Sequence, residues 1–285
     1  MSRVGVVLVS YNNFDETITC VRMYQMMKSI SSIVVVFNAS SDNLKELVDN
    51  LTDTDNCTFF FENENIGYSR GNNIGIEYLI NVENVDYIIV SNSDVWVEEK
   101  TIQKCIIKLC ENDLGAVAPY MKDINGNTIP LRWMRFGYTR ILLRILFSER
   151  FLDRITQHLC KRLNGTVIQS FLPGSFLVFN KQTLEDIEGF DESVFLYREE
   201  EILGERLKEK GYKEAVVEDC FFIHNHNYSL ETVEEKIKRN KLVMQSELIF
   251  FKKYMHSNWF QMIWVRLLQS LYEVSRKFVW KITDS

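Results

Sequence analysis

Val85-Asp86-Tyr87-Ile88-Ile89-Val90-Ser91-Asn92-Ser93-Asp94 is an apolar run of strand length that closes on an amide, a hydroxyl and a carboxylate. Runs of the same kind recur at residues 4–9, 33–37, 57–61 and 116–118. Between them, residues 14–28, 43–51, 74–80 and 100–109 carry helical periodicity. Strand-helix alternation predicts right-handed crossovers and a Rossmann-like α/β fold: a mostly parallel central sheet with helices on both faces. Ligands bind such sheets at the carboxyl ends of the strands. That rule gathers Ser10-Tyr11-Asn12, Asn38-Ala39-Ser40-Ser41-Asp42, Glu62-Asn63-Glu64-Asn65 and Asn92-Ser93-Asp94 on one edge.

The chain has 285 residues and is 46% hydrophobic, enough for one large domain with its own core. Residues 1–229 are expected to form it, with 131–166 as a basic helical insertion and 230–285 as a C-terminal amphipathic helical region. A net charge of -6 argues against a nucleic-acid binder. Residues 132–162 nonetheless hold eight Arg/Lys against two Asp/Glu, which suits an anionic partner. Six scattered cysteines without a C-x-x-C pair point to a reducing cytosol rather than to disulfides or a metal cage. The apolar run at 4–9 is too short for a signal sequence and reads as the first strand. In the C-terminal region Trp259, Phe260, Ile263, Trp264, Leu267, Leu268, Leu271 and Tyr272 recur at three- and four-residue spacings, with basic residues nearby. No stretch reaches the length of a membrane span. Together these two segments are expected to face an anionic membrane surface; the alternative is packing on the domain or on a second subunit in a homodimer.

The polar clusters carry the chemistry. Asp94, at the end of a central strand, suits a hard divalent cation that also holds a diphosphate, or else caps the following helix. The segment from Asn65 to Asn73 contains Gly67, Gly71 and Arg70 at a helix mouth, which suits a diphosphate or simply starts the helix. His224 and His226 follow an apolar strand and are candidate metal ligands or hydrogen-bonded surface residues. The acidic run from Asp191 to Glu200, set among Phe190, Phe195 and Tyr197, supplies a separate base.

At this point a resemblance emerges. Ser10-Tyr11-Asn12, Asn38-x-Ser40-x-Asp42, Asn65-x-Gly67-Tyr68-x-x-Gly71-Asn72-Asn73, Asn92-x-Asp94-Val95, Pro173-Gly174-Ser175-Phe176, Gly189-Phe190-Asp191-Glu192, Phe195-Leu196-Tyr197-x-Glu199-Glu200 and His224 stand in the order found in family 2 glycosyltransferases, and the chain resembles their bacterial rhamnosyltransferase-like branch. The resemblance implies a GT-A fold and inverting, metal-dependent transfer from a UDP- or dTDP-linked sugar to a glycan or polyprenyl-diphosphate-linked acceptor, at the cytoplasmic face of a bacterial membrane. It implies that Asp94 and His224 hold Mn2+ or Mg2+. Donor contacts would come from Ser10, Tyr11, Asn12, Asn38, Ser40, Asp42, Asn65, Gly67, Arg70, Asn73 and Asn92, and acceptor contacts from Gly174, Ser175, Asp191 and Tyr197. Glu200 would be the catalytic base, with Glu199 orienting the acceptor. Three positions depart from the pattern: Phe37 and Ile202 stand where the family has acids, and Glu200 replaces an Asp. The competing expectation is a catalytically silent relative that binds nucleotide-sugar or acts as a scaffold. Nucleotidyl transfer ranks last because residues 4–13 hold no Lys or Arg.

Overall fold

The computed structural model describes residues 2–39, 42–49, 54–130, 137–147, 151–152, 154, 161–225 and 232–283. Strands β1 (Val4–Ser10), β2 (Ile30–Phe37), β3 (Cys57–Phe61) and β4 (Tyr87–Ser91) alternate with helices α1 (Phe14–Gln25), α2 (Asp42–Asp49) and α3 (Tyr68–Asn81). The four strands pair in parallel in the order β3-β2-β1-β4. Alternation along them divides the core. Val6, Leu8, Ile33 and Val35 pack with Cys20, Val21 and Tyr24 of α1 on one face, while Val7, Val34, Val36 and Ile88 pack with Ile76 and Leu79 of α3 on the other.

Past β4 the sheet is mixed. The two-residue β5 (Val95–Trp96) and α4 (Glu99–Glu111) lead to β6 (Ala116–Lys122), followed by α5 (Tyr138–Leu146), β7 (Arg162–Leu163) and β8 (Thr166–Gln169). Strand β9 (Phe176–Asn180) then enters antiparallel between β4 and β6. An antiparallel strand starts at the edge where its parallel neighbour ends. Ser91 therefore pairs with Phe176, and the 173–175 turn lies beside Asn92. After α6 (Lys181–Asp186) and α7 (Glu199–Glu209), strand β10 (Glu214–His224) runs parallel to β6 and pairs antiparallel with β5 and β8.

Two boundaries differ from the apolar pattern for physical reasons. β2 begins at Ile30 because Ser31 interrupts the apolar run but bonds the Val4 carbonyl at 3.0 Å. α3 begins at Tyr68 rather than near 74, so Arg70 to Asn73 are helical. The C-terminal region is two helices, α8 (Val233–Lys253) and α9 (Trp259–Thr283). Reciprocal side-chain-to-backbone bonds start each one: Thr232 with Glu235, and Asn258 with Gln261. A third core joins Ile141 of α5, Phe250 and Phe251 of α8, and Val265 and Leu268 of α9 to Val194 and Ile202. Among the described residues no helix is long and apolar enough to cross a membrane.

The seat of α3 on β1 depends on Gly75, where a Cβ would lie 2.5 Å from a methyl of Val7. Helix propensity favours Ala over Gly by about 1 kcal/mol, whereas overpacking against a stiff β-branched neighbour costs about 1–3 kcal/mol. Gly75→Ala is therefore expected to lower the unfolding free energy, and the Gly75→Ala/Val7→Ala pair to lose less than the sum of the two single changes in a denaturant-titration cycle.

Candidate active site

The site is a seam along the carboxyl edge of the sheet. At one end Val95 pairs with His224, and Asn225 N–H donates to the Asp94 carbonyl at 2.9 Å. This brings Asp94 Oδ1 and His224 Nε2 to 3.2 Å, each side chain about 15% exposed. Asp94 caps no helix, since α4 is preceded by Glu98. One carboxylate and one imidazole at this exposure suit a manganese-class cation that keeps positions for phosphate oxygens; magnesium prefers an all-oxygen set. Among the described residues no third His, Cys, Asp or Glu joins them. His226 lies outside the described residues.

Behind Asp94 a buried polar strap holds the turn. Thr17 Oγ1 donates to Ser10 Oγ at 2.8 Å, Ser10 Oγ donates to Asn13 Oδ1 at 2.9 Å, and Asn13 Nδ2 donates to Ser93 Oγ. Ser10 thus positions the 92–94 turn from β1, with Tyr11 and Asn12 exposed beside it. Asn13 was not singled out from the sequence, and Ser93 was read only as part of the Asn92-Ser93-Asp94 turn.

The amide-rich turns are tied to one another. Asn38 Nδ2 donates to Asn65 Oδ1 at 3.0 Å, and Asn38 Oδ1 accepts from Ile66 N–H at 2.8 Å. Asn65 Oδ1 also accepts from Gly67 N–H at 3.0 Å. Gly67 has φ +89°, and a Cβ there would lie 2.5 Å from the Phe195 carbonyl, which accepts Tyr68 N–H at 3.1 Å. Only glycine lets this turn meet the acidic loop so closely. Asn73 faces that loop too: its amide donates to the Phe190 carbonyl and to Glu192, both at 2.9 Å. Arg70 is exposed in the first turn of α3. Ser40 lies outside the described residues, and Asp42 opens α2. Phe37 is buried against Phe14, Phe59 and Phe61.

At the other end, Tyr197 and Arg198 both adopt left-handed backbone, with φ 71° and 69°, and set the start of α7. Arg198 Nη1 meets Glu201 at 2.5 Å and Nη2 meets the fully buried Glu247 of α8 at 2.8 Å. Gln269 of α9 donates to the second oxygen of Glu247 at 2.9 Å. Ser246 Oγ donates to the Leu196 carbonyl at 2.8 Å, and Lys253 Nζ bridges Asp191 at 2.8 Å beside the Tyr254 hydroxyl. Burial opposes the Asp191 charge, but Lys253, Tyr254 and Ser193 hold its carboxyl down at about 2. Asp191 is therefore engaged in fastening the loop.

Glu200 lies partly exposed, and its Oε1 accepts Gly174 N–H at 2.6 Å. Tyr68 OH donates to the Gly174 carbonyl at 2.7 Å, and the Ser175 carbonyl accepts Asn92 N–H at 2.9 Å. The Gly174-Ser175 backbone thus links Glu200 to the turn that carries Asp94. Glu199, next in sequence, is 8% exposed, and burial reinforced by Glu200 and Glu201 pushes its carboxyl up to about 7. Glu214, buried at the start of β10 near Glu200 and Glu205, is pushed up to about 8, mainly by burial.

Residues 5–182 match the model of Glycosyl transferase family 2. The chain belongs to that family. Within it, similarity extends to a low-salt glycan biosynthesis hexosyltransferase, Agl10, of Haloferax volcanii, 23% identical over 197 residues. That match covers 69% of this chain and 59% of the relative, less than two thirds of its length. Among solved structures, GalNAc-T7 with UDP, GalNAc and Mn2+ aligns over 96% of this chain and 55% of its own, at TM-score 0.61 and 11% identity. The mannosyltransferase PcManGT of Pyrobaculum calidifontis, in complex with GDP-Man and Mn2+, aligns over 96% and 73%, at TM-score 0.60 and 15% identity. The fold of this family 2 chain is GT-A.

The buried carboxyls give a pH signature. A carboxyl raised in the folded state contributes stability that is full below its unfolded value, near 4.5, and is lost as pH rises through its folded value. Wild-type protein is expected to lose melting temperature from pH 6 to pH 9, and Glu214→Gln to flatten that loss, because the amide cannot ionise. Thermal melts across that range read the difference.

Proposed function

We propose that this protein is an inverting glycosyltransferase that moves a hexosyl or deoxyhexosyl unit from a UDP- or dTDP-linked donor to a lipid-linked glycan, in bacterial surface-polysaccharide assembly at the cytoplasmic face of the membrane. The order of motifs supports the rhamnosyltransferase-like branch. One observation carries the reading: a candidate cation site and an accessible carboxylate lie on a single seam, joined through Gly174-Ser175. Transfer with inversion needs those two functions on opposite sides of the anomeric carbon.

Glu200 takes the acceptor hydroxyl proton as the acceptor oxygen forms its bond to the anomeric carbon, and the bond to the diphosphate breaks to release the nucleoside diphosphate. Gly174 N–H holds one Glu200 oxygen in place, so the carboxylate meets the hydroxyl without first reorganising. Asp94 and His224 would hold the divalent cation, which supplies Lewis-acid neutralisation of the diphosphate charge. Glu199, poised near neutrality, orients the acceptor from behind. With Phe37 buried in an aromatic cluster, base contacts fall to the Tyr11-Asn12 turn and neighbouring backbone.

Turnover of a panel of nucleotide-sugars, with and without manganese, tests the reading. Glu200→Gln is expected to slow transfer about 10²–10⁴-fold with donor affinity nearly unchanged, and Asp94→Asn to abolish the manganese response. Wild-type protein that binds nucleotide-sugar yet turns over no donor would point instead to a silent binder. Loss of transfer in Glu199→Gln with near-native Glu200→Gln would move the base to Glu199.

A further inference from the structure

We infer that Gly204 is a positioning residue for Glu200: the close seat of α7 on Ser170 and Glu214, which only a residue without a Cβ permits, holds the Glu200 carboxylate in line. Glu200 and Gly204 stand one turn apart in α7 and so share a face of it. That face meets the 170–174 segment at both ends. At one end Glu200 Oε1 accepts Gly174 N–H at 2.6 Å. At the other, Gly204 is buried, and a Cβ there would lie 2.5 Å from the Ser170 carbonyl oxygen, 2.6 Å from Glu214 Oε1 and 3.3 Å from Phe171 Cβ. Its backbone is ordinary helix, and glycine is a poor helix former, so the close contact accounts for the residue rather than any turn or cap.

The walls of this seat have little room to give way. The Ser170 oxygen belongs to the backbone that leaves β8, and Phe171 and Leu172 behind it are buried. Glu214 is buried too, in a backbone paired with Gln169 of β8 on one side and Ala116 of β6 on the other. Non-bonded atoms in relaxed contact stand about 3.5 Å apart, so a Cβ at position 204 would part α7 from the segment by roughly 1 Å. Lengthened by that much, the 2.6 Å bond from Gly174 N–H to Glu200 would pass the limit of hydrogen bonding. A reacting group misplaced by about 1 Å loses about 10²-fold in rate. The inference rests on Glu200 as the base in the reading above and adds the residue that aims it.

Gly204→Ala in the full chain tests it. Its kcat for transfer is expected to fall about 10²-fold with the donor KM within about twofold of wild type. In a Glu200→Gln background the same change should cost less than about threefold, because a residue that acts only through Glu200 has nothing left to aim. Amide exchange at Gly174 should quicken at least about tenfold in Gly204→Ala while β1, β2 and β4 stay as in wild type. Gly5→Ala, near the amino edge of the sheet, is a crowded control: a Cβ there would lie 2.6 Å from Leu79, yet transfer should match wild type. If Gly204→Ala does not fold, Gly204→Ala/Glu214→Ala against Glu214→Ala gives the same readings, since truncating Glu214 opens one side of the contact. Near-native kcat in Gly204→Ala, an equal loss with and without the Glu200 carboxylate, an equal loss in Gly5→Ala, or unchanged exchange at Gly174 would overturn the inference. Near-native transfer by Glu200→Gln would refute the base instead, and exchange at Gly174 would then decide the seat by itself.

Discussion

The Arg198 guanidinium, held between Glu201 and the buried Glu247, is the constraint on which the acidic end of the site depends. Two consecutive non-glycine residues in left-handed backbone cost about 1–2 kcal/mol each, and such a geometry persists only where its surroundings over-determine it. Here they do. The ion pairs fix Arg198, Ser246 fixes Leu196, and Lys253 with Tyr254 fixes Asp191, so α8 grips both ends of the segment that delivers Glu199 and Glu200. A buried ion pair need not add net stability, but removing one partner strands a charge at a cost of about 3–5 kcal/mol. The C-terminal helices thereby become part of the framework that holds the acidic loop of the candidate site.

At the opposite end the constraint is strand order. β9 enters antiparallel beside β4 and so places Gly174 and Ser175 against Asn92, while β10 reaches β5 with His224 facing Asp94. Neither result follows from a parallel sheet alone. The mixed half of the sheet brings residues from three distant stretches to one edge, and the polar strap from Thr17 through Ser10 and Asn13 to Ser93 holds the turn on which they meet.

Much of this was legible in the chain. Uninterrupted apolar runs of strand length separated by helical periodicity predicted the parallel strands β1 to β4, though not their order in the sheet, because a strand buried on both faces has few other ways to be written. Asn92 to Asp94 and the acidic run stood out because carboxylates beside apolar residues have no packing purpose. What remained hidden was long-range. Asn13 meets Ser93, Tyr68 meets Gly174 and Arg198 meets Glu247 across separations of 80, 106 and 49 residues, and none leaves a local signal. The engagement of Asn38, Asn65 and Asn73 with neighbouring loops was hidden likewise, since an amide looks the same in sequence whether it meets a ligand or a backbone carbonyl. The direction of β9 could not be read because periodicity is blind to polarity.

The most direct measurement of the Arg198 constraint is amide hydrogen exchange in Glu247→Gln against wild type. The expected result is exchange at least about tenfold faster across residues 191–202, with the amides of β1, β2 and β4 unchanged, since the change releases one local segment and leaves the sheet intact. Unchanged exchange across 191–202 would contradict the view that the C-terminal helices hold the acidic loop.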